Sequence, residues 1–406
     1  MEVKSGYKKT EVGIIPEDWL VKKFSDHADF FSSKRIFERD YVSSGIPFYR
    51  GKEISLLIDG EKLVEEYFIS EEKYESIKRQ FGVPQKGEVL ITAVGTLGNV
   101  FLISSTNPFY FKDGNLIWLR NIKEIDLDYF VAQIRNNRKS IISGAIGSSQ
   151  KALTMVVLKE TQFVTPSDIN EQTAIANALS DADALIGSLQ KLIAKKRQIK
   201  QGAMQTLFNP YENGVLKAGW EMRKLGDICS PSKNRYNPLL AKENCKCVEL
   251  EHLSQGRGVL LGYVDSKLQR SQKAVFQKGD VLFGKLRPYL RKYWFAEFDG
   301  VCSTEIWVLK ASNDIKSEWL YYLMQSDRVI EAANQSTGTK MPRAEWHTVK
   351  NVEIYIPTND DQQSEIASIL LEMDMDIASL ETKLAKYQQI KQGMMQNLLT
   401  GRIRLV

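Results

Sequence analysis

The stretch RQIKQGAMQTLF at Arg197–Phe208 returns, nearly letter for letter, as QQIKQGMMQNLL at Gln388–Leu399. Laid over one another without a gap, Asn170–Phe208 and Asp361–Leu399 agree at close to half of their positions, among them Gln172/Gln363, Ile175/Ile366, Leu179/Leu370, Ile186/Ile377 and Leu189/Leu380. Both copies carry one apolar rhythm: Ile175, Leu179, Ala182, Ile186, Leu189, Ile193 in the first, and Ile366, Leu370, Met373, Ile377, Leu380, Leu384 in the second. Steps of four, three, four, three and four are the seam of a coiled coil. Each copy follows a proline (Pro166 or Pro357), passes Ser, Asp or Asn as a cap candidate, and has no proline inside. At about 1.5 Å per residue each helix would run roughly 55–60 Å.

The duplication reaches beyond the helices, and repeats of this length decide an architecture. DWLVKKFSD at Asp18 matches GWEMRKLGD at Gly219, QKGEVLITA at Gln85 matches QKGDVLFGK at Gln277, NLIWLR at Asn115 matches EIWVLK at Glu305, and FVTP at Phe163 matches IYIP at Ile354. The markers keep their order. The chain therefore divides into a domain over 1–165, a helix over 166–209, a domain over 210–357, and a helix with tail over 358–406. Within each domain the pattern is α+β. Short strands (GEVLITAV, NVFLIS, NLIWLR) alternate with glycine-rich turns, and helices (LDYFVAQIRNNRKSII, SEWLYYLMQSDRVIEAA) come late. Two seams in one chain are most economically satisfied by each other. The expected fold is two globular domains joined by two long helices that form an intramolecular antiparallel coiled coil with a pseudo-two-fold repeat. On this reading a cysteine at Ala182 would reach one near Met373.

Composition removes several function classes. No run of about 18 apolar residues is present, so no membrane span is expected, and the N-terminus lacks the apolar core of a signal peptide, so the expected location is the cytoplasm. Cys229, Cys245, Cys247 and Cys302 show no metal spacing, and His27, His252 and His347 are scattered, so no metal site is expected. The net charge of +5 permits nucleic-acid binding without demanding it. There is no G-x-x-x-x-G-K-[ST] loop, hence no ATPase motor. NPFY at Asn107–Tyr110 approaches the Asn-Pro-Pro-aromatic motif that grips a flipped adenine, but Phe109 replaces the second proline and no glycine-rich strand-to-helix turn stands at a workable distance. It reads as a turn.

The order domain, helix, domain, helix, together with EDW…KKFSD, KGEVLITAVGTLGNV, KGDVLFGKLRPYLRKYWFA and the ending IKQGMMQNLLTGRIRLV, resembles the specificity subunit of type I restriction–modification systems across essentially the whole chain. The resemblance implies that each domain is a target recognition domain reading one part of a two-part double-stranded DNA site. It implies that the helices are the spacer and dock two copies of the modification (methyltransferase) subunit, with restriction/translocase subunits completing the complex. It further implies that this chain is non-catalytic and binds no cofactor, S-adenosylmethionine, ATP and magnesium belonging to the partner subunits. Two other classes stay open at this point: a stand-alone adenine methyltransferase with a fused recognition domain, which the missing cofactor loop disfavours, and a coiled-coil adaptor without a DNA role.

Candidate DNA contacts fall in loops. The strongest stretch is GKLRPYLRKYWF, with Lys285, Arg287, Tyr289, Arg291 and Lys292, because cations interleaved with aromatics suit phosphate contacts and bidentate reading of guanine edges. The matched stretch of the first domain offers only Thr96 and Asn99. Further candidates are Lys34, Arg35, Arg50, Lys52, Arg79, Gln80, Ser148, Ser149, Gln150 and Lys151 in the first domain, and Lys233, Asn234, Arg235, Thr304, Thr337, Thr339, Lys340 and Arg343 in the second. The repeated helix ends supply the docking candidates Gln201, Met204, Gln205, Gln392, Met395 and Gln396. The five cations of KLIAKKRQIK at Lys191–Lys200 suit either a DNA-facing stripe or a solvated flank.

Overall fold

In a computed structural model, the described residues are 5–58, 60–61, 63, 67–147, 151–241, 243–335 and 342–405. The chain forms two compact units, one made of residues 1–188 and 384–406 and the other of residues 189–383.

In the first unit, a four-stranded sheet runs in the spatial order Asp29–Phe31, Leu116–Arg120, Val89–Thr92, Val100–Leu102, all antiparallel. A smaller sheet joins Tyr110–Phe111, Ile46–Tyr49, Phe68–Ile69 and Tyr41–Val42. The second unit repeats the first sheet strand for strand as Cys229–Pro231, Ile306–Ala311, Val281–Gly284, Tyr293–Phe295, and adds a five-stranded sheet. The central strands Val89–Thr92 and Val281–Gly284 are short and buried on both faces, which is why they read as continuous apolar runs. In each unit the tryptophan strand pairs with the strand that ends in proline: Trp19 stands opposite Pro166 and Trp220 opposite Pro357. The two late helical stretches, each read as a single helix, are broken in two. Asn137 separates Leu127–Asn136 from Arg138–Ser143, and Ser326, extended at ψ 147°, precedes Asp327–Asn334.

The repeated helices span Ile169–Leu207 and Asp360–Leu398, 39 residues each. Their starts are capped as the sequence suggests: Asp168 Oδ1 accepts the Asn170 N–H at 2.9 Å, and Asn359 Oδ1 accepts the Asp361 N–H at 2.8 Å. The identical Gln172 and Gln363 are buried and do one job twice. Gln172 donates to Pro166 O at 2.9 Å and accepts from Asp126 N–H at 2.9 Å; Gln363 donates to Pro357 O at 3.0 Å and accepts from Lys316 N–H at 2.8 Å. Each ties the long helix to the last strand and to the start of a late helix.

Ion pairs set the helix register. In the first unit Lys391 meets Asp183 at 2.5 Å; in the second, Lys196 meets Asp376 at 2.9 Å, Lys200 meets Asp374 at 2.6 Å, and Arg197 pairs with Glu381. As numbers rise along one helix they fall along the other, so the helices are antiparallel within the chain. The same register corrects the proposed cysteine pair: Asp183 is held against Lys391, so Ala182 has its neighbour near Gln392, not Met373. It also employs Lys196, Arg197 and Lys200, three of the five cations of the first helix, in binding the second.

Candidate nucleic-acid interface

A hairpin tip occurs once in each unit and is built on one hydrogen-bond plan. In the first unit it joins Val89–Thr92 to Val100–Leu102. Thr92 N–H donates to Asn99 O at 3.0 Å, Leu153 N–H donates to Ala93 O at 2.9 Å, and Val94 bridges to Ala152. In the second unit it joins Val281–Gly284 to Tyr293–Phe295. Gly284 N–H donates to Lys292 O at 2.8 Å, Ala344 N–H donates to Lys285 O at 2.8 Å, and Leu286 bridges to Arg343. Ala152–Leu153 and Arg343–Ala344 thus hold equivalent places against the two tips, and the structure brings Arg343 to the loop that carries Lys285 and Arg287.

The side chains on this common frame differ. The left-handed positions of the first tip are Gly95 (φ +80°) and Gly98 (φ +72°); those of the second are Arg287 (φ +52°) and Arg291 (φ +50°), which flank a short 3-10 turn at Pro288–Leu290. Tyr289 at the turn is 53% exposed. Among the described residues, the Lys285 and Arg287 side chains have no partner. The neighbouring cations are engaged: Arg291 donates to Gln325 O at 3.2 Å and pairs with Asp327, while Lys292 Nζ donates to Leu250 O at 2.7 Å. Burial pulls the Lys292 ammonium below the usual lysine value. Arg343 forms an ion pair with Glu305 at 3.0 Å, and Thr304 is exposed nearby in sequence. In the first tip Thr96 is exposed, whereas Asn99 is drawn inward, accepting from Arg138 at 3.2 Å and donating to Ser55 at 3.4 Å.

Elsewhere the sequence candidates are dispersed. Lys34 and Arg35 are exposed; Lys34 Nζ lies 5.0 Å from the Phe81 ring centre, and Arg35 pairs with Asp113 at 2.8 Å. Arg50 is bound to the buried Glu53 at 2.7 Å and covers the Tyr67 ring. Lys52, Arg79, Gln80 and Lys151 are at the surface, as are Lys233, Asn234 and Arg235, the last donating to Ser232 O and Asn234 O. Ser148, Ser149, Gln150, Thr337, Thr339 and Lys340 lie outside the described residues. Of the docking candidates, Gln201, Gln205, Gln392 and Gln396 are exposed, while Met204 and Met395 pack against the cores of their own units.

Sequence reasoning missed the aromatic company of Lys34. Phe31 and Phe81 are 40% and 47% exposed, and Arg120 ties them together, its guanidinium 5.5 Å from the Phe31 ring centre and donating to Phe81 O at 3.4 Å. No local motif announces this, because the residues come from two strands, a loop and the end of a helix. Phe109 and Tyr110 of the NPFY turn are buried in the core, with Phe109 stacked on Tyr49. Burial pushes the Cys229 and Cys247 thiols up to about 12 and Cys302 up as well. Among the described residues no His, Cys, Asp and Glu cluster could hold a metal, and no helix is long and apolar enough to cross a membrane.

A family model for the type I restriction modification DNA specificity domain matches twice, over residues 16–200 and 217–392. A Methanocaldococcus jannaschii protein, provisionally named as the type I restriction enzyme MjaX specificity subunit, is 28% identical over 99% of this chain and 97% of its own length. The type I restriction enzyme MjaVIII specificity subunit of the same organism is 22% identical over 96% of this chain and 94% of its own. The crystal structure of a type I restriction-modification system S subunit from M. genitalium superposes with a TM-score of 0.58 at 16% identity, covering 98% of both chains.

Proposed function

The chain belongs to the type I restriction modification DNA specificity domain family, in two copies, and from that premise we propose that it recognises a bipartite, asymmetric double-stranded DNA site and directs methylation and restriction carried out by partner subunits. The observation that carries this reading is the pair of hairpin tips: one backbone plan bearing glycines in the first unit and arginines in the second. A shared frame with unlike side chains is what reading two unlike half-sites requires. Lys285, Arg287, Tyr289 and Arg343 serve the second half-site; Thr96, Lys34 and Arg35 serve the first. Half-sites one helical turn apart lie about 34–36 Å centre to centre, a separation that helices of about 58 Å can span.

The repeated ends with Gln201, Gln205, Gln392 and Gln396 are handles for two copies of a modification subunit, with restriction/translocase subunits joining the complex. S-adenosylmethionine, ATP and magnesium are held by those partners, and the assembly works in the cytoplasm. Methylation mapping of cells that express the locus is the test. Two unlike half-sites with a gap of fixed length are expected, while one contiguous motif would overturn the reading. Replacing Gln201 and Gln392 by glutamate should lower the number of modification subunits by native mass spectrometry, and an unchanged mass would remove the docking assignment.

A further inference from the structure

We propose that Arg287 is a specificity-determining residue, kept in a left-handed backbone position for the DNA base it reads and not for the fold. This rests on the DNA-recognition reading above and goes one step beyond it. An L-residue with a Cβ is strained at φ +52°, and such residues persist where the surroundings or a ligand make use of them. The fold does not need a side chain there. The first unit closes the base of its tip with the equivalent hydrogen bonds, in a loop one residue shorter, and has glycine at both left-handed positions.

The two arginines are then separable. Arg291 is used internally: its guanidinium reaches Gln325 O and Asp327, fastening the tip to the helix Asp327–Asn334 and offsetting its own strain. Arg287 has no such return. Its backbone is pinned from both sides, N–H to Pro342 O at 2.8 Å and carbonyl to Leu290 N–H at 2.9 Å, while its side chain has no partner among the described residues. Arg343, on the adjoining stretch, is ion-paired with Glu305. Arg287 is therefore a guanidinium on a fixed stem, two residues before the exposed Tyr289. A phosphate would be served by any mobile cation. A fixed stem matters where register matters, as in the bidentate pairing of a guanidinium with the O6 and N7 of guanine.

The test uses the full chain in the complex isolated from its host, with Arg287→Gly and Arg287→Ala variants, on a randomised duplex library at fixed salt. Both variants should lose discrimination at one base pair of the second unit's half-site, by roughly tenfold to a hundredfold, with the other half-site unaltered. Arg287→Gly should melt at or above the wild-type temperature and above Arg287→Ala, since glycine relieves the strain. Uniform weakening on all sequences, unaltered discrimination, or a glycine variant that melts no higher than the alanine variant would each overturn the proposal. A wild-type complex that selects no sequence would sink the recognition reading itself. A selective wild type with equally selective variants would sink only the role of Arg287.

Discussion

Lys200 Nζ lies 2.6 and 2.7 Å from the two carboxylate oxygens of Asp374, and the repeat counterparts of these residues, Lys391 and Asp183, make the same pair in the other unit at 2.5 Å. Their settings differ. Lys200 is 14% exposed, and the Tyr322 hydroxyl also donates to Asp374 at 3.0 Å; the matching position in the first unit is Ala132, and Asp183 is 47% exposed. Asp374→Ala should therefore cost about 1–3 kcal/mol, because it strands a shielded ammonium and a phenol. Asp183→Ala should cost under about 1 kcal/mol, as exposed pairs do. Urea unfolding of the two variants checks the order, and equal losses would mean that burial does not govern this pair.

The register derived from these pairs places Ile193 opposite Leu380. Ile193→Cys together with Leu380→Cys should form a disulfide within one chain, seen as a mobility shift at monomer mass on non-reducing gels. Covalent dimers alone would mean that the helices pair between chains. The Ala182→Cys, Met373→Cys combination, matched by repeat but not by register, should stay reduced.

Arg404 closes the first unit. Its guanidinium makes a bidentate pair with Asp18 at 2.8 Å and another with Glu171 at 2.7 and 2.9 Å, and the Glu171 carboxylate, nearly inaccessible, also accepts from Trp19 Nε1 at 3.3 Å. Arg404→Ala should destabilise the protein by about 2–4 kcal/mol, since it leaves a buried carboxylate without its cation. The second unit has Gln362 at the position of Glu171. Adding Glu171→Gln should consequently restore most of the lost stability. Thermal unfolding of single and double variants reads this directly, and a double variant no better than Arg404→Ala would show that the arginine contributes by packing alone.

What the sequence determined by itself was everything periodic or duplicated. The four-three seam and the proline-and-cap starts fixed two long helices, because helix periodicity is local and needs no knowledge of distant contacts. The ordered markers fixed two copies of one α+β domain, and the strands GEVLITAV, NVFLIS and NLIWLR lie where their apolar runs put them. Tertiary structure alone decided register and employment. Seam periodicity is the same for every sliding offset, so Ala182 and Met373 looked like partners until Asp183 was seen held by Lys391. Basic residues in a row looked alike in GKLRPYLRKYWF. Yet Arg291 and Lys292 are consumed by Asp327 and by the Leu250 carbonyl, whereas Arg287 is left with its guanidinium unengaged among the described residues. Nor could sequence pair Lys34 with Phe81 or Arg120 with Phe31, since those contacts join separate strands and loops. The physical reason is common to all of these. A side chain's availability depends on which carboxylate, carbonyl or ring the fold sets within a few ångströms of it, and that neighbour comes from elsewhere in the chain.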